Sequence, residues 1–198
     1  MTATAHAQSQ KLLTYEAYME EFRTQAPTPQ PCEILDGVRI MPPAPRPIHQ
    51  IILENLIELF RNARRAGLPI RTLPSPIDVL IQRSPLRVRQ PDLLAMSAAH
   101  CPSRAVLDLP APLTTPPELV VEILSPSETR RSVDTKIADF QAIGVLECWI
   151  VTIAPDTVEV LALTDTGYQP AAFYTPGQDL RSLVFPNLVL PVAAIFEA

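Results

Sequence analysis

The chain has 198 residues, of which 47% are hydrophobic and 19% charged, and a formal net charge of −5. That apolar content excludes wholesale disorder, and no apolar run approaches the ~20 residues a membrane span needs. Five glycines against 23 prolines leave neither a GxGxxG nor a GxxxxGKS/T phosphate cradle, and the acidic balance does not announce a nucleic-acid binder.

In chain order, residues 1–13 read as a flexible start without the apolar stretch of a secretory signal. TYEAYMEEF (14–22) reads as a short helix capped by Thr14, with acids in its first turns. CEILDGVRIM (32–41) reads as a hairpin turning at Asp36-Gly37. After the extended PPAPRP (42–47) comes the clearest amphipathic helix, residues 48–66, with Ile52, Leu56, Leu59 and Phe60 at helical spacing and Gly67 as its stop. Two strands are expected at 77–82 and 86–96. The Pro-rich stretch 97–117 reads as a long loop. ELVVEIL (118–124) has the apolar run of a strand buried on both faces. A helix is expected from Ser125-Pro126 to Ile143, with Ser125 as cap and Glu128 closing a capping box. Strands follow at 147–153, 157–163 and 168–174, and the last residues suit a helical turn. The order predicts an α/β (α+β) fold with a mixed central sheet flanked by helices, an N-terminal hairpin and helix, and a single domain over 14–198. The three cysteines, Cys32, Cys101 and Cys148, are odd in number and widely spaced. No zinc ribbon or disulfide framework is implied, and a reducing, cytoplasmic setting is expected.

Three residues on or beside the central strands carry chemistry. Asp92, in RQPDLLAM, shares a face with Leu94 and Met96 by alternation; its bland reading is a Pro-Asp turn. Glu122 stands alone among Val, Ile and Leu, an expensive place for a carboxylate without a partner or cation; its bland reading is an ion pair with an arginine. Of the 16 basic residues only Lys11 and Lys136 are lysines. Val133, Ile137, Phe140 and Ile143 define the inner face of their helix, and Lys136 falls roughly 45° from its centre at about 100° per residue, pointing partly inward. Snorkelling along apolar surface is the bland reading. Two carboxylates on neighbouring strands suit a hard, oxygen-seeking cation such as Mg²⁺, and a nearby lysine can stabilise a phosphoryl transition state or orient water. Metal-assisted phosphodiester hydrolysis is the chemistry that fits.

The segments PD (91–92), ELVVEILSPS (118–127) and RRSVDTKIADFQAIGVLECWIV (130–151) resemble the Uma-two family of restriction-endonuclease-like proteins, within the PD-(D/E)xK nuclease superfamily. EILDGVRIM with downstream His49, and SPIDVLI (75–81) leading to RQPDLLAM, are similar as well. The resemblance implies a mixed sheet flanked by helices and a site for Mg²⁺ or Mn²⁺. It puts Asp92 in the place of the PD aspartate and Glu122 in that of the acidic residue of (D/E)xK, with the Ile123 carbonyl as a further ligand. Leu124 stands where the superfamily has lysine, and Lys136 matches a lysine moved to the following helix. Glu33 matches an acidic hairpin residue near the same site. Cys148 and Phe140 depart from positions where the family favours tyrosine.

The expected activity is therefore metal-dependent endonucleolytic cleavage of DNA, double-stranded, with a homodimer suited to cutting two strands and no membrane partner. The alternative is a non-catalytic nucleic-acid-binding or interaction protein on the same fold, with the three residues left as a buried ion network. An acid–base pair acting on sugars ranks last, because it leaves Lys136 unused. His49 suits either the site or a helix cap. The groups Arg61/64/65, Arg83/87/89 and Arg130/131 suit either a phosphate-facing rim or a solvated surface.

Overall fold

The computed structural model describes residues 12–24, 32–125 and 128–198. Helix α1 (Tyr15–Thr24) opens as expected, with Thr14 Oγ1 accepting the Ala17 N–H at 3.2 Å. The hairpin strands β1 (Glu33–Leu35) and β2 (Val38–Ile40) meet through Asp36 and Gly37 at φ 52° and 81°. Those paired positive φ values are what a tight two-residue hairpin turn demands. A Cβ on Gly37 would lie 3.0 Å from the Leu13 carbonyl, so the position also needs glycine for space. Helix α2 (Pro47–Arg65) buries Ile52, Leu53, Leu56 and Phe60, the stripe that the helical spacing predicts.

The next region differs from expectation. A strand β3 (Ile70–Pro74) precedes β4 (Val79–Arg83). The apolar run 86–96 is two strands, β5 (Leu86–Arg89) and β6 (Leu93–Ser97), in different sheets. Gln90-Pro91-Asp92 separates them, because a proline has no N–H for the ladder. Within the Pro-rich connection, α3 (Arg104–Leu107) makes one turn, and Leu113 exchanges backbone hydrogen bonds with the Asp78–Leu80 segment.

Strand β7 (Leu119–Leu124) leads to helix α4 (Arg130–Ala142), then β8 (Glu147–Thr152), β9 (Thr157–Thr164), β10 (Gly167–Tyr174), β11 (Asp179–Arg181), β12 (Val189–Pro191) and the turn α5 (Val192–Ile195). Helix α4 starts later than expected: its cap is Thr129, whose side chain accepts the Ser132 N–H. Ser125 therefore does not cap it, although Glu128 does reach back to the Ser125 N–H at 2.8 Å. The first helical proline, Pro126, and the start of the chain lie outside the described residues. Strands β11 and β12 pair with each other, a hairpin without a clear alternation signal in the sequence.

The central sheet runs β10-β9-β8-β7-β6-β3, and a second sheet runs β2-β1-β5-β4. Among the described strands β7 and β8 alone pair in parallel, with α4 as their crossover. Alternation on β7 then sorts the two cores. Leu119, Val121 and Ile123 pack with Trp149, Val151, α2 and α5. Val120 packs with Leu94, Met96, Cys148 and Phe140 beneath α4. Each fully buried side chain of this kind contributes roughly 1.5–3 kcal/mol. Trp149 lies 5.6 Å from Phe60, ring centre to ring centre.

A buried ionic network anchors α4 to the second sheet. Asp139 accepts from Arg87 Nε and Nη2 at 2.9 and 2.8 Å and from Arg89 Nε at 2.6 Å. Arg87 and Arg89 are therefore not a rim: Arg89 is 2% exposed. Arg83 stacks over the Tyr15 ring. Among the described residues no helix is long and apolar enough to cross a membrane.

Candidate active site

The antiparallel register of β6 on β7 pairs Leu93 with Val121 and Leu94 with Val120. Asp92 stands immediately before β6, past the last of these pairs, close enough to Glu122 for its charge to act on that carboxyl. Pro91, just before it, has no N–H with which to extend the ladder. The Ile123 N–H is taken instead by Asp92 Oδ2 at 2.7 Å. The Pro-Asp pair thus ends the ladder and brings an aspartate to the strand carrying Glu122.

Glu122 is 2% exposed. Its Oε2 accepts from Lys136 Nζ at 2.8 Å, while its buried Oε1 has no hydrogen-bond partner among the described residues. Lys136 reaches it from the inward side of α4, as the helical angle predicts. Burial pushes the Glu122 carboxyl up; Lys136 opposes the rise, and the negative charges of Asp92 and Glu33 add to it. Burial alone would lower the Lys136 ammonium, but Glu122, Glu128 and Glu33 outweigh it and keep it charged.

Two residues join this cluster. His49, in the first turn of α2, lies with Nε2 3.2 Å from Asp92 Oδ1, and its buried Nδ1 has no partner among the described residues. Burial works against its charged form, but the hydrogen bond and charge of Asp92 outweigh it and the net shift is upward. Its side chain thus contacts Asp92 and makes no cap hydrogen bond at the start of α2. The sequence gives Glu128 the place of a capping residue, yet its Oε1 accepts from Lys136 Nζ at 3.0 Å. A capping-box glutamate eight residues before a rare inward lysine was the available signal.

Asp92, Glu122 and Lys136 are therefore brought together. Glu33 stands to one side: its Oε2 accepts from Arg89 at 2.6 Å, and it acts on Glu122 and Lys136 through its charge. The network Glu33–Arg89–Asp139 links the hairpin to α4 one turn beyond Lys136. Cys148, on β8, is a fully buried core thiol whose ionisation burial suppresses.

The donors fit a hard cation. The unpartnered Glu122 Oε1, the Asp92 carboxylate and the Ile123 carbonyl are all oxygen. Among the described residues no three His, Cys, Asp or Glu side chains gather into a group that could hold a metal ion.

A family model described as "Uma2: Putative restriction endonuclease" matches residues 19–193. A crystal structure described as "a putative nuclease belonging to DUF820", from Anabaena variabilis, superposes with a TM-score of 0.69 at 18% identity, covering 90% of this chain and 96% of that one. At that identity the likeness concerns the fold. No curated protein matches the sequence.

Proposed function

Because the chain belongs to the Uma2 family, described as "Putative restriction endonuclease", we propose that it is a metal-dependent endonuclease that hydrolyses DNA phosphodiester bonds. The observation that carries this reading is the buried Glu122, with Lys136 on one oxygen and no partner among the described residues on the other, beside an Asp92 that is bonded to the next residue's N–H.

Asp92, Glu122 and the Ile123 carbonyl would hold Mg²⁺ or Mn²⁺. When bound, such an ion polarises a phosphoryl oxygen and lowers the pKa of its water. The chain's own residues supply the surroundings. Asp92 is held in place from two sides, by the Ile123 N–H and by His49. Lys136 carries a charged ammonium to the edge of the site, where it can stabilise the phosphoryl transition state or orient the attacking water. Glu33 contributes negative charge beside these groups and is held by Arg89. The substrate we infer is duplex DNA, cut by a homodimer, since two strands favour two-fold symmetry. With a net charge of −5, affinity for DNA is local to the site and falls with salt.

The test is nicking of supercoiled plasmid by purified protein with Mn²⁺, Mg²⁺ or EDTA, beside Glu122→Gln. Metal-dependent nicking lost in the variant supports the proposal. A folded protein that cuts with neither metal, or a variant that still cuts, defeats it and favours a non-catalytic binding protein.

A further inference from the structure

Lys136 occupies the flank of Glu122 where a cation would compete with it. Its Nζ is shared between Glu122 Oε2 at 2.8 Å and Glu128 Oε1 at 3.0 Å. The two carboxylates are not equivalent. The Glu122 side chain is 3% exposed and rides on a central strand. That of Glu128 is 21% exposed, on the connection between β7 and α4. Glu128 is itself anchored, because its Oε2 accepts the Ser125 N–H at 2.8 Å.

A divalent cation arriving at Glu122 and Asp92 repels the ammonium from its Glu122 contact. Lys136 is mostly buried, and a buried charge stripped of its counter-ion is strongly destabilising. Glu128 is the one carboxylate, among those contacting Lys136, that can keep it without also binding the cation. Resting on the metal-site reading above, we propose that Glu128 is a positioning residue. It retains Lys136 beside the site when a divalent cation takes Glu122, and so sets both the affinity for the ion and the place of the ammonium.

The experiment is calorimetric titration of the whole protein with Mn²⁺ in the absence of DNA. Wild type, Glu128→Gln, Lys136→Met and the double variant are compared, with Glu122→Gln as the site control. Lys136→Met is expected to tighten Mn²⁺ binding about tenfold, because the competitor is gone, and Glu128→Gln to weaken it about tenfold. In the Lys136→Met background, Glu128→Gln should change affinity by less than about twofold, because its effect passes through the lysine. Glu128→Asp should recover part of the loss. Lys136→Gln serves if Lys136→Met does not fold. Equal weakening by Glu128→Gln in both backgrounds would mean that Glu128 acts only as a nearby charge, and the proposal fails while the metal site stands. No Mn²⁺ binding that Glu122→Gln abolishes would overturn the metal site, and the positioning role with it.

Discussion

Two buried glutamates, on neighbouring parallel strands, have opposite surroundings. Glu147 opens β8 and is fully buried. Its two oxygens accept from Trp149 Nε1 at 2.6 Å, Ser182 Oγ at 2.7 Å, and the Leu183 and Val184 amides at 2.9 and 3.0 Å. Glu122 on β7 is almost as deeply buried but has one ammonium on one oxygen and, among the described residues, no partner on the other. A carboxylate met by four neutral or weakly polar donors is a structural clamp, because every lone pair facing the protein is used. A carboxylate with an unmet buried oxygen has been desolvated without full compensation, which is the condition in which a cation gains most. Burial alone does not separate the two; the count and charge of their partners do.

The difference can be broken by exchanging the expected consequences. Glu122→Gln should reduce plasmid nicking at least a thousandfold, about 4 kcal/mol of transition-state stabilisation. Its stability should stay within about 1 kcal/mol of wild type, since the variant removes a costly buried charge and Lys136 keeps Glu128. Urea unfolding measured beside the cleavage assay checks both halves. If stability falls by several kcal/mol, Glu122 is a clamp like Glu147 and the contrast collapses.

Glu147→Ala should act the other way, costing about 3 kcal/mol of stability by leaving Trp149, Ser182 and two amides unpaired. The protein that remains folded should bind Mn²⁺ with the wild-type affinity. A change in the calorimetric Mn²⁺ affinity would couple the two glutamates and blur the distinction.

Asp139→Asn sharpens it further, because Asp139 is a third buried carboxylate, held by Arg87 and Arg89. Loss of its charge should lower stability by about 2 kcal/mol, read from the denaturant midpoint. Since α4 carries Lys136 one turn earlier, nicking should fall by no more than about tenfold, a consequence of looser placement. A cleavage loss as large as that of Glu122→Gln would move Asp139 into the chemistry. The smallest effect belongs to Thr129→Ala, which removes the α4 cap and should cost about 1 kcal/mol of thermal stability without changing Mn²⁺ affinity.

Much of this site was legible because its geometry is local. Alternation along β7 puts Glu122 on the face of Val120, and the helical angle turns Lys136 inward; both need only the periods of a strand and a helix. Glu128 was half-legible: its reach to Ser125 is the capping-box geometry, but the lysine contact depends on how α4 lies over the sheet. Glu147 was not legible as a clamp. A glutamate at the start of a strand reads as an edge residue, and its donors Ser182–Val184 come from 35 or more positions further along. Arg87 and Arg89 looked solvated for the same reason, since Asp139 is about fifty residues away. The run 86–96 was misread as one strand because its apolar pattern continues across Pro91, while hydrogen-bond pairing does not.

The sequence by itself determined the helices with their stripes, the Asp36-Gly37 turn, the buried central strands and the family resemblance. It also placed Asp92, Glu122 and Lys136 as the residues that could meet. Each follows from the steric and hydrophobic preferences of a short segment, which the segment carries wherever it is put. Only the tertiary structure decided the partners: that Asp92 takes the Ile123 N–H beside Glu122, that His49 contacts Asp92 and Glu128 contacts Lys136, and that Glu147 and Asp139 are consumed in holding the fold. Hydrogen bonds and ion pairs reach only about 3 Å. Which distant groups come within that reach is set by the packing of the sheet against its helices, not by any single stretch of chain.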